Sequence, residues 1–353
     1  TLPDAIVLAL ANNQQFQVER LTPAVVSTAE QVEASIFDPI ARADGERSRT
    51  RTGKSVVSQD FKSSASVSKF LPTGTTLDLI FGTEWTATMP PSQAPENDWQ
   101  AYTRFSVTQA LLQGAGIPVN LANVRQARLD TQISVWALTG VAETLTGELE
   151  NAYWDYYLAA GQIAIYSRSL ALATRLVRET RERIRLGEKA RSEIYFVQAE
   201  QYTREQSLIN ARSLQEANRL KLLRLISPPS SDLWNRPVKL LTKPIMPTDP
   251  VDDLYNHIAV AMRRRPDINE ARLLEKRGEL EIVKTSNGLL PKLDLFAMLG
   301  RTGYSSTMNR SVSDITAGSG GLDFLTRVQF EFPILNRKAK AQYDRSVLTL
   351  AQE

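Results

Sequence analysis

The sequence predicts an α+β protein: a long coiled-coil-like helical hairpin joined to antiparallel strands, with the whole unit begun twice. Three observations carry this. Two helix-patterned stretches, about Val119 to Leu186 and about Ala190 to Ile226, contain no proline. Residues 40–109 alternate polar and apolar positions with the period of a strand. The N-terminal segment also returns without gaps 252 positions later. Leu2 then meets Leu254, Ile6 meets Ile258, Ala9 meets Ala261, Arg20 meets Arg272, Leu21 meets Leu273 and Pro39 meets Pro291.

In chain order, Thr1 to Ile36 reads as helix. Leu2, Ile6, Ala9 and Leu10 share a face, and Val18, Leu21, Val25, Ala29 and Val32 extend the stripe past breaks near Asn12-Asn13 and Pro23. Phe37-Asp38-Pro39 ends it. Strand candidates follow at about 40–52, 61–70, 75–85 and 101–109, with Pro72-Thr73-Gly74 as a tight turn and Met89 to Asp98 as a long polar loop. Short turns at one end and long loops at the other suit a membrane barrel. On this stretch alone, a soluble β-sandwich is the commoner source of such alternation.

The hairpin comes next. An arm of about 68 residues is on the order of 100 Å long, beyond what a compact domain holds. Leu170, Val177 and Ile184 recur every seven residues. Ile194, Leu208 and Leu222 do the same in the second arm, as do Val197, Ala211 and Leu225. The seam is thin, with Gln201 and Gln215 in it, so packing against other chains is expected. Between the arms lies Arg185-Leu186-Gly187-Glu188-Lys189-Ala190-Arg191-Ser192, the tip. Ser227 to Pro250 is proline-rich and reads as a wrap, its Leu233, Trp234, Val238, Leu240, Leu241, Ile245 and Met246 lying against something. After Pro291, Leu293, Leu295, Ala297 and Leu299 alternate as a strand. A Gly/Ser loop spans about Gly303 to Gly321, and Val328, Phe330 and Phe332 form the return strand. Pro333 to Arg337 then matches Ala110 to Gly114, where the first long helix begins. The repeat leads one to expect about a hundred further residues for a second hairpin.

Composition narrows the function. Net charge is +3, spread along the chain, so it does not point to nucleic acid. There is no cysteine and one histidine, His257, which nearly excludes zinc sites and Ser/His or Cys/His catalysis. Glu143, Glu148 and Glu150 read as a solvated helix face. Arg263-Arg264-Arg265 reads as a helix end, where cations are favoured. Tyr153, Trp154, Tyr156 and Tyr157 read as packing residues. No cofactor, metal or catalytic residue is expected. The opening Thr1-Leu2-Pro3-Asp4 lacks the regions of a signal peptide. The longest uncharged run, Phe105 to Val124, is too polar for a membrane helix, so a membrane crossing would have to use strands.

The layout resembles the TolC-like family of outer-membrane efflux and secretion channels. The resemblance is carried by Ala9-Leu10-Ala11-Asn12-Asn13 with its partner Ala261 to Asp267, and by Thr108 to Gly116. Ala152-Tyr153-Trp154-Asp155, the tip, and Phe332 to Arg337 add to it. Each is weak alone; their order on a repeat is not. The resemblance implies a homotrimer whose strands close one β-barrel in the outer-membrane lipid and whose helices form an α-barrel in the periplasm of a Gram-negative bacterium. It divides the chain into leading helices (1–39 and 253–290), barrel strands (40–109 and 291–333), the long hairpin (110–226), a Pro-rich equatorial segment (227–252) and the start of a second long helix (334–353). It implies a passive, non-enzymatic channel served by a periplasmic adaptor and an inner-membrane pump. In that family the hairpin tips meet the adaptor, which here points to Arg185, Leu186, Gly187, Arg191 and Ser192. The alternative is a soluble periplasmic coiled-coil adaptor, against which the doubled layout argues. The family's acidic gate lies on the second hairpin, so no gate residue is carried over. The family places two strands in the first β region, whereas this sequence offers four.

Overall fold

The computed structural model describes the 353 residues apart from 53–55, 90–95, 229–231, 233 and 246–252. The helices and strands run α1 (Leu2–Asn12), α2 (Gln14–Glu19), α3 (Thr22–Ala34), β1 (Ile40–Thr52), β2 (Val56–Leu71), β3 (Thr75–Met89), β4 (Glu96–Ala110), α4 (Ile117–Asn120), α5 (Ala122–Arg185), α6 (Glu193–Ile226), α7 (Leu254–Arg264), α8 (Pro266–Asn287), β5 (Lys292–Ser305), α9 (Met308–Thr316), β6 (Gly321–Glu331) and α10 (Arg337–Gln352). Two compact units emerge. One comprises Thr1–Ala24 with Ser134–Glu270, the other Val25–Ile133 with Ala271–Glu353.

In the first unit, α1 starts with a capping box: the Thr1 hydroxyl accepts from the Asp4 amide, and the Asp4 carboxylate accepts from the Thr1 ammonium. The stretch read as helix with breaks near Asn12-Asn13 and Pro23 is three helices; the first break lies at Asn13, and Pro23 lies inside the first turn of α3. Asn13 adopts an extended backbone, and its side chain accepts from the Phe16 amide at 3.0 Å, ending α1 and starting α2. The core gathers Ala5 and Ala9 of α1 with Leu145, Leu149, Tyr153 and Tyr156 of α5, and with Leu222 and Leu225 of α6. The seven-residue grid is a packing seam: Val177, Leu208, Ala211, Leu222 and Leu225 are buried. Gln201 donates across it to Thr174 Oγ1 at 3.2 Å.

The described part of the Pro-rich segment is bound by side chains. The Tyr153 hydroxyl donates to the Thr242 carbonyl (3.2 Å) and accepts from the Thr242 amide (3.0 Å). The Tyr156 hydroxyl donates to the Val238 carbonyl at 3.2 Å. Arg219 donates to the carbonyls of Arg236 (2.6 Å) and Trp234 (2.9 Å). Two of the four aromatic residues read as packing groups are therefore also hydrogen-bonding clamps. Leu233 and Met246, named above in the wrap, lie outside the described residues.

In the second unit, a single antiparallel sheet has the order β1-β2-β3-β4-β5-β6. The four stretches read as strands in the first β region are four strands, so the two that the resemblance implied become four through an added hairpin. Each of β2, β3 and β4 reaches further than its sequence pattern suggested. The loop expected over Met89–Asp98 lies largely outside the described residues. The Gly/Ser loop expected over Gly303–Gly321 contains the helix α9, seated on β4 and β5. Gly303 makes room for it, because a Cβ there would stand 2.2 Å from the Ser311 carbonyl oxygen.

Candidate functional site: the faces of the sheet and the hairpin tip

Register sorts the strands into two chemically opposite faces. One row runs Val67↔Leu79↔Phe105↔Leu299↔Phe324 across β2 to β6. A second runs Lys69↔Leu77↔Val107↔Ala297↔Thr326, and a third starts Ala65↔Phe81↔Thr103. This face is apolar and open to its surroundings: Val67, Leu79, Phe105, Leu299 and Phe324 are 45–71% exposed. Monomeric soluble proteins rarely leave a continuous apolar surface of this extent. On β3 it stretches from Leu77 to Trp85, about 27 Å along the strand, or about 20 Å after a tilt of about 40°. A lipid-facing band is about 25 Å tall. Trp85 and Trp99 pair directly across β3 and β4 at its far end, with ring centroids 6.2 Å apart, as in the aromatic girdles of membrane barrels.

The opposite face is polar and internally bonded. Lys62 pairs with Glu84 at 2.6 Å. Asp60 accepts from Ser48 (3.2 Å) and Thr86 (3.0 Å), joining three strands. Thr302 donates to Asp323 at 2.5 Å. The Arg104 guanidinium lies 4.1 Å from the Tyr102 ring centroid. That ring in turn covers Gly82, where a Cβ would meet it at 2.3 Å. An apolar outer face and a hydrated inner face are what a barrel wall between lipid and an aqueous lumen requires.

The connection from β4 into α5 is held by amide side chains. The Asn120 amide donates to the carbonyls of Pro72 (3.1 Å), Gly114 (2.9 Å) and Gly116 (3.1 Å). Asn287 Oδ1 accepts from the Gly114 amide at 2.7 Å. Gly74, Gly114 and Gly116 all have positive φ here, and a Cβ on Gly74 would stand 2.3 Å from the Gly114 carbonyl oxygen.

At the tip, the structure brings the five sequence-selected residues into one exposed turn. Gly187 has φ +78°; its amide donates to the Ile184 carbonyl (3.1 Å) and the Glu188 amide to the Arg183 carbonyl (2.9 Å). This is a Schellman cap, which needs a left-handed residue after the helix and so favours glycine. Leu186 is 65% exposed beside it. Arg185 is tied back to Glu182 at 2.8 Å. Ser192 precedes α6 without a side-chain cap bond, and Arg191 is exposed. Sequence reading missed two features here. Lys189 pairs with Glu193 at 2.8 Å, and its hydrogen bond holds the Glu193 carboxyl below its ordinary pKa. Tyr195 and Phe196 are 72% and 78% exposed on the first turn of α6; adjacent aromatics in a polar stretch were the available signal. Among the described residues, no cluster of acidic residues and histidine has the grouping of a metal site.

No family model matches the sequence, and no curated protein matches it. Solved structures do match in fold. A membrane protein from Pseudomonas aeruginosa superposes with TM-score 0.65 at 16% identity, over 99% of this chain and 72% of its own. The CmeC outer membrane channel of Campylobacter jejuni gives 0.61 at 13%, over 99% and 67%. The outer membrane protein VceC of Vibrio cholerae gives 0.61 at 12%, over 99% and 75%. The fold is that of the TolC-like outer-membrane channels.

Proposed function

We propose that this chain is a non-enzymatic subunit of a passive channel in the outer membrane of a Gram-negative bacterium. Three copies form the conduit, and the helices stand in the periplasm. The observation that carries this reading is the two-faced sheet: an apolar surface exposed over five adjoining strands, backed by ion pairs and hydroxyl networks. One copy leaves that sheet open at β1 and β6, so a closed wall needs further copies. The long helices support the same conclusion. Ile165 and Leu172 of α5 and Ile209 of α6 stay 59–68% exposed, which suits helices covered by neighbouring subunits. The tip, with Leu186, Gly187 and the flanking Arg185, Arg191 and Ser192, is the docking point for a periplasmic adaptor that couples the channel to an inner-membrane pump, in efflux or in type I secretion.

The test has two parts. Purified protein should require detergent, run as a trimer and give unitary conductance steps in a planar bilayer. A soluble, non-conducting monomer in plain buffer would overturn the reading and favour a soluble adaptor. Leu186→Ser should weaken adaptor capture while leaving the trimer and its conductance intact. Unchanged capture would remove the tip from the reading.

A further inference from the structure

The strand count departs from the internal repeat, and the departure has a consequence for the pore. Pro39 and Pro291 coincide in the repeat, so β1 and β5 occupy the same place. Ala110 and Pro333 coincide as well, so β4 corresponds to β6. Between β5 and β6 the chain makes α9; between β1 and β4 it makes β2 and β3. The hairpin β2–β3 is therefore an insertion in one half of the repeat. It is no appendage, because it is laddered to β1 on one side and β4 on the other. Its turn is also built into the base of the sheet. The Ala110 amide donates to the Gly74 carbonyl (3.0 Å), the Gly116 amide to Thr73 (3.1 Å), and Asn120 to Pro72 (3.1 Å).

The same repeat supplies the register for closing the sheet. Inside one chain the two halves meet at β4 and β5, with Val107↔Ala297 and Phe105↔Leu299. Moving each strand to its repeat equivalent turns these pairs into Phe330↔Gly45 and Val328↔Arg47, with β6 on one copy and β1 on the next. On the apolar face this register sets Phe330 opposite Gly45 with Ala43 on the diagonal, and Val328 opposite Arg47, which lies in the Phe61, Trp85 and Trp99 row; a one-residue slip would turn Val328 and Phe330 to the polar face. It sets Arg327 where Arg104 lies in the other half, opposite Ser48, with Glu46 on the diagonal. Asp44 and Glu331 fall opposite each other, with Arg42 on the diagonal to offset them.

We propose that three copies close an eighteen-stranded barrel by pairing β6 of one with β1 of the next in the Phe330↔Gly45 register, and that the inserted hairpin widens it. This rests on the trimeric channel reading. The Gly45 row reaches residue 320 on β6 within one chain, so pairing Gly45 with Phe330 advances the register by ten residues per copy. At a strand spacing of about 4.8 Å and a rise of about 3.3 Å per residue, that shear tilts eighteen strands by about 49° and encloses a wall about 42 Å across, against about 28 Å for twelve strands at the same tilt. The cross-section is then about twofold larger.

The absence of cysteine makes the register directly testable. Gly45 has nothing within 4 Å of an added Cβ, and Phe330 is 64% exposed. Oxidation of the Gly45→Cys, Phe330→Cys double variant in outer membranes should give covalent dimers and trimers on non-reducing gels. Gly45→Cys with Val328→Cys, two residues out of register on the same face, should give far fewer. Arg47→Cys with Val328→Cys is a second in-register pair should the first assemble poorly. Excising β2–β3, so that β1 leads directly to β4, should reduce the pore area about twofold, read as a lower size limit for neutral polymers entering the pore. Conducting trimers that fail to cross-link at both in-register pairs, or whose polymer limit is unchanged by excision, would overturn this proposal and leave the channel reading standing. Loss of both trimer and conductance in the unmodified protein would overturn the two together.

Discussion

Leu79→Arg separates a lipid-facing sheet from a water-facing one. Leu79 lies in the middle of the apolar surface, half exposed, with Val67 and Phe105 directly beside it on the adjoining strands. If this face meets water, replacing an exposed leucine changes stability by no more than about 0.5 kcal/mol. If it meets hydrocarbon, arginine near the bilayer midplane costs about 2–4 kcal/mol, with less toward the interfaces. Ser66→Arg provides the control. Ser66 lies on the adjoining strand but on the other face, paired with Ile80 and Arg42, where a cation can be hydrated. The assay is urea unfolding in phospholipid vesicles, followed by tryptophan fluorescence. Leu79→Arg should lower the unfolding free energy by at least about 2 kcal/mol, with Ser66→Arg within about 1 kcal/mol of the parent. Equal, small effects from both substitutions would refute the assignment of faces.

Three further outcomes are expected. Tyr153→Phe strips both partners from the Thr242 backbone; it should cost about 1–3 kcal/mol in urea unfolding and speed amide exchange at Thr242. Gly187→Ala forces a side chain into φ +78° and should cost about 1 kcal/mol, read as a drop in Tm with trimer assembly unchanged. Acidification should loosen the tip through Glu193. Its folded pKa is lowered by the Lys189 hydrogen bond, so the contribution is present above the ordinary carboxylate pKa and is lost as pH falls through the lowered value. Amide exchange at the start of α6 should accelerate in that range, and Lys189→Ala should abolish the pH dependence.

The parts legible in the sequence are those with a local period or a local backbone demand. Strand alternation shows because a sheet with one apolar and one polar face writes its period into each strand. The tip shows because a left-handed residue closing a long helix favours glycine, and Gly187 is that residue. What stayed hidden depends on distant partners. Tyr153 bonds a backbone 89 residues away, and nothing near Tyr153 encodes Thr242. The helix α9 lies in a stretch rich in Ser, Thr and Gly, residues that favour turns, and is held by contact with β4 and β5. The alternation also could not reveal which face stays uncovered; the register and the exposures of Leu79 and Phe105 did.

The two rims of the sheet differ in temperament. β1 carries Arg42, Arg47 and Arg49, whereas β6 presents Leu322, Phe324, Val328 and Phe330. Asp44 and Glu46 offset part of the β1 charge, and the positive excess that remains makes a second β1 a poorer partner for it than the apolar β6. A newly made subunit is consequently polarised. On the trimeric reading the unlike rims meet head-to-tail, and such a chain of subunits ends only when it bends back to its first member. The apolar side chains of β6 then stay uncovered until the ring closes, so an unclosed intermediate is the species in which this rim would be open to pairing with other strands.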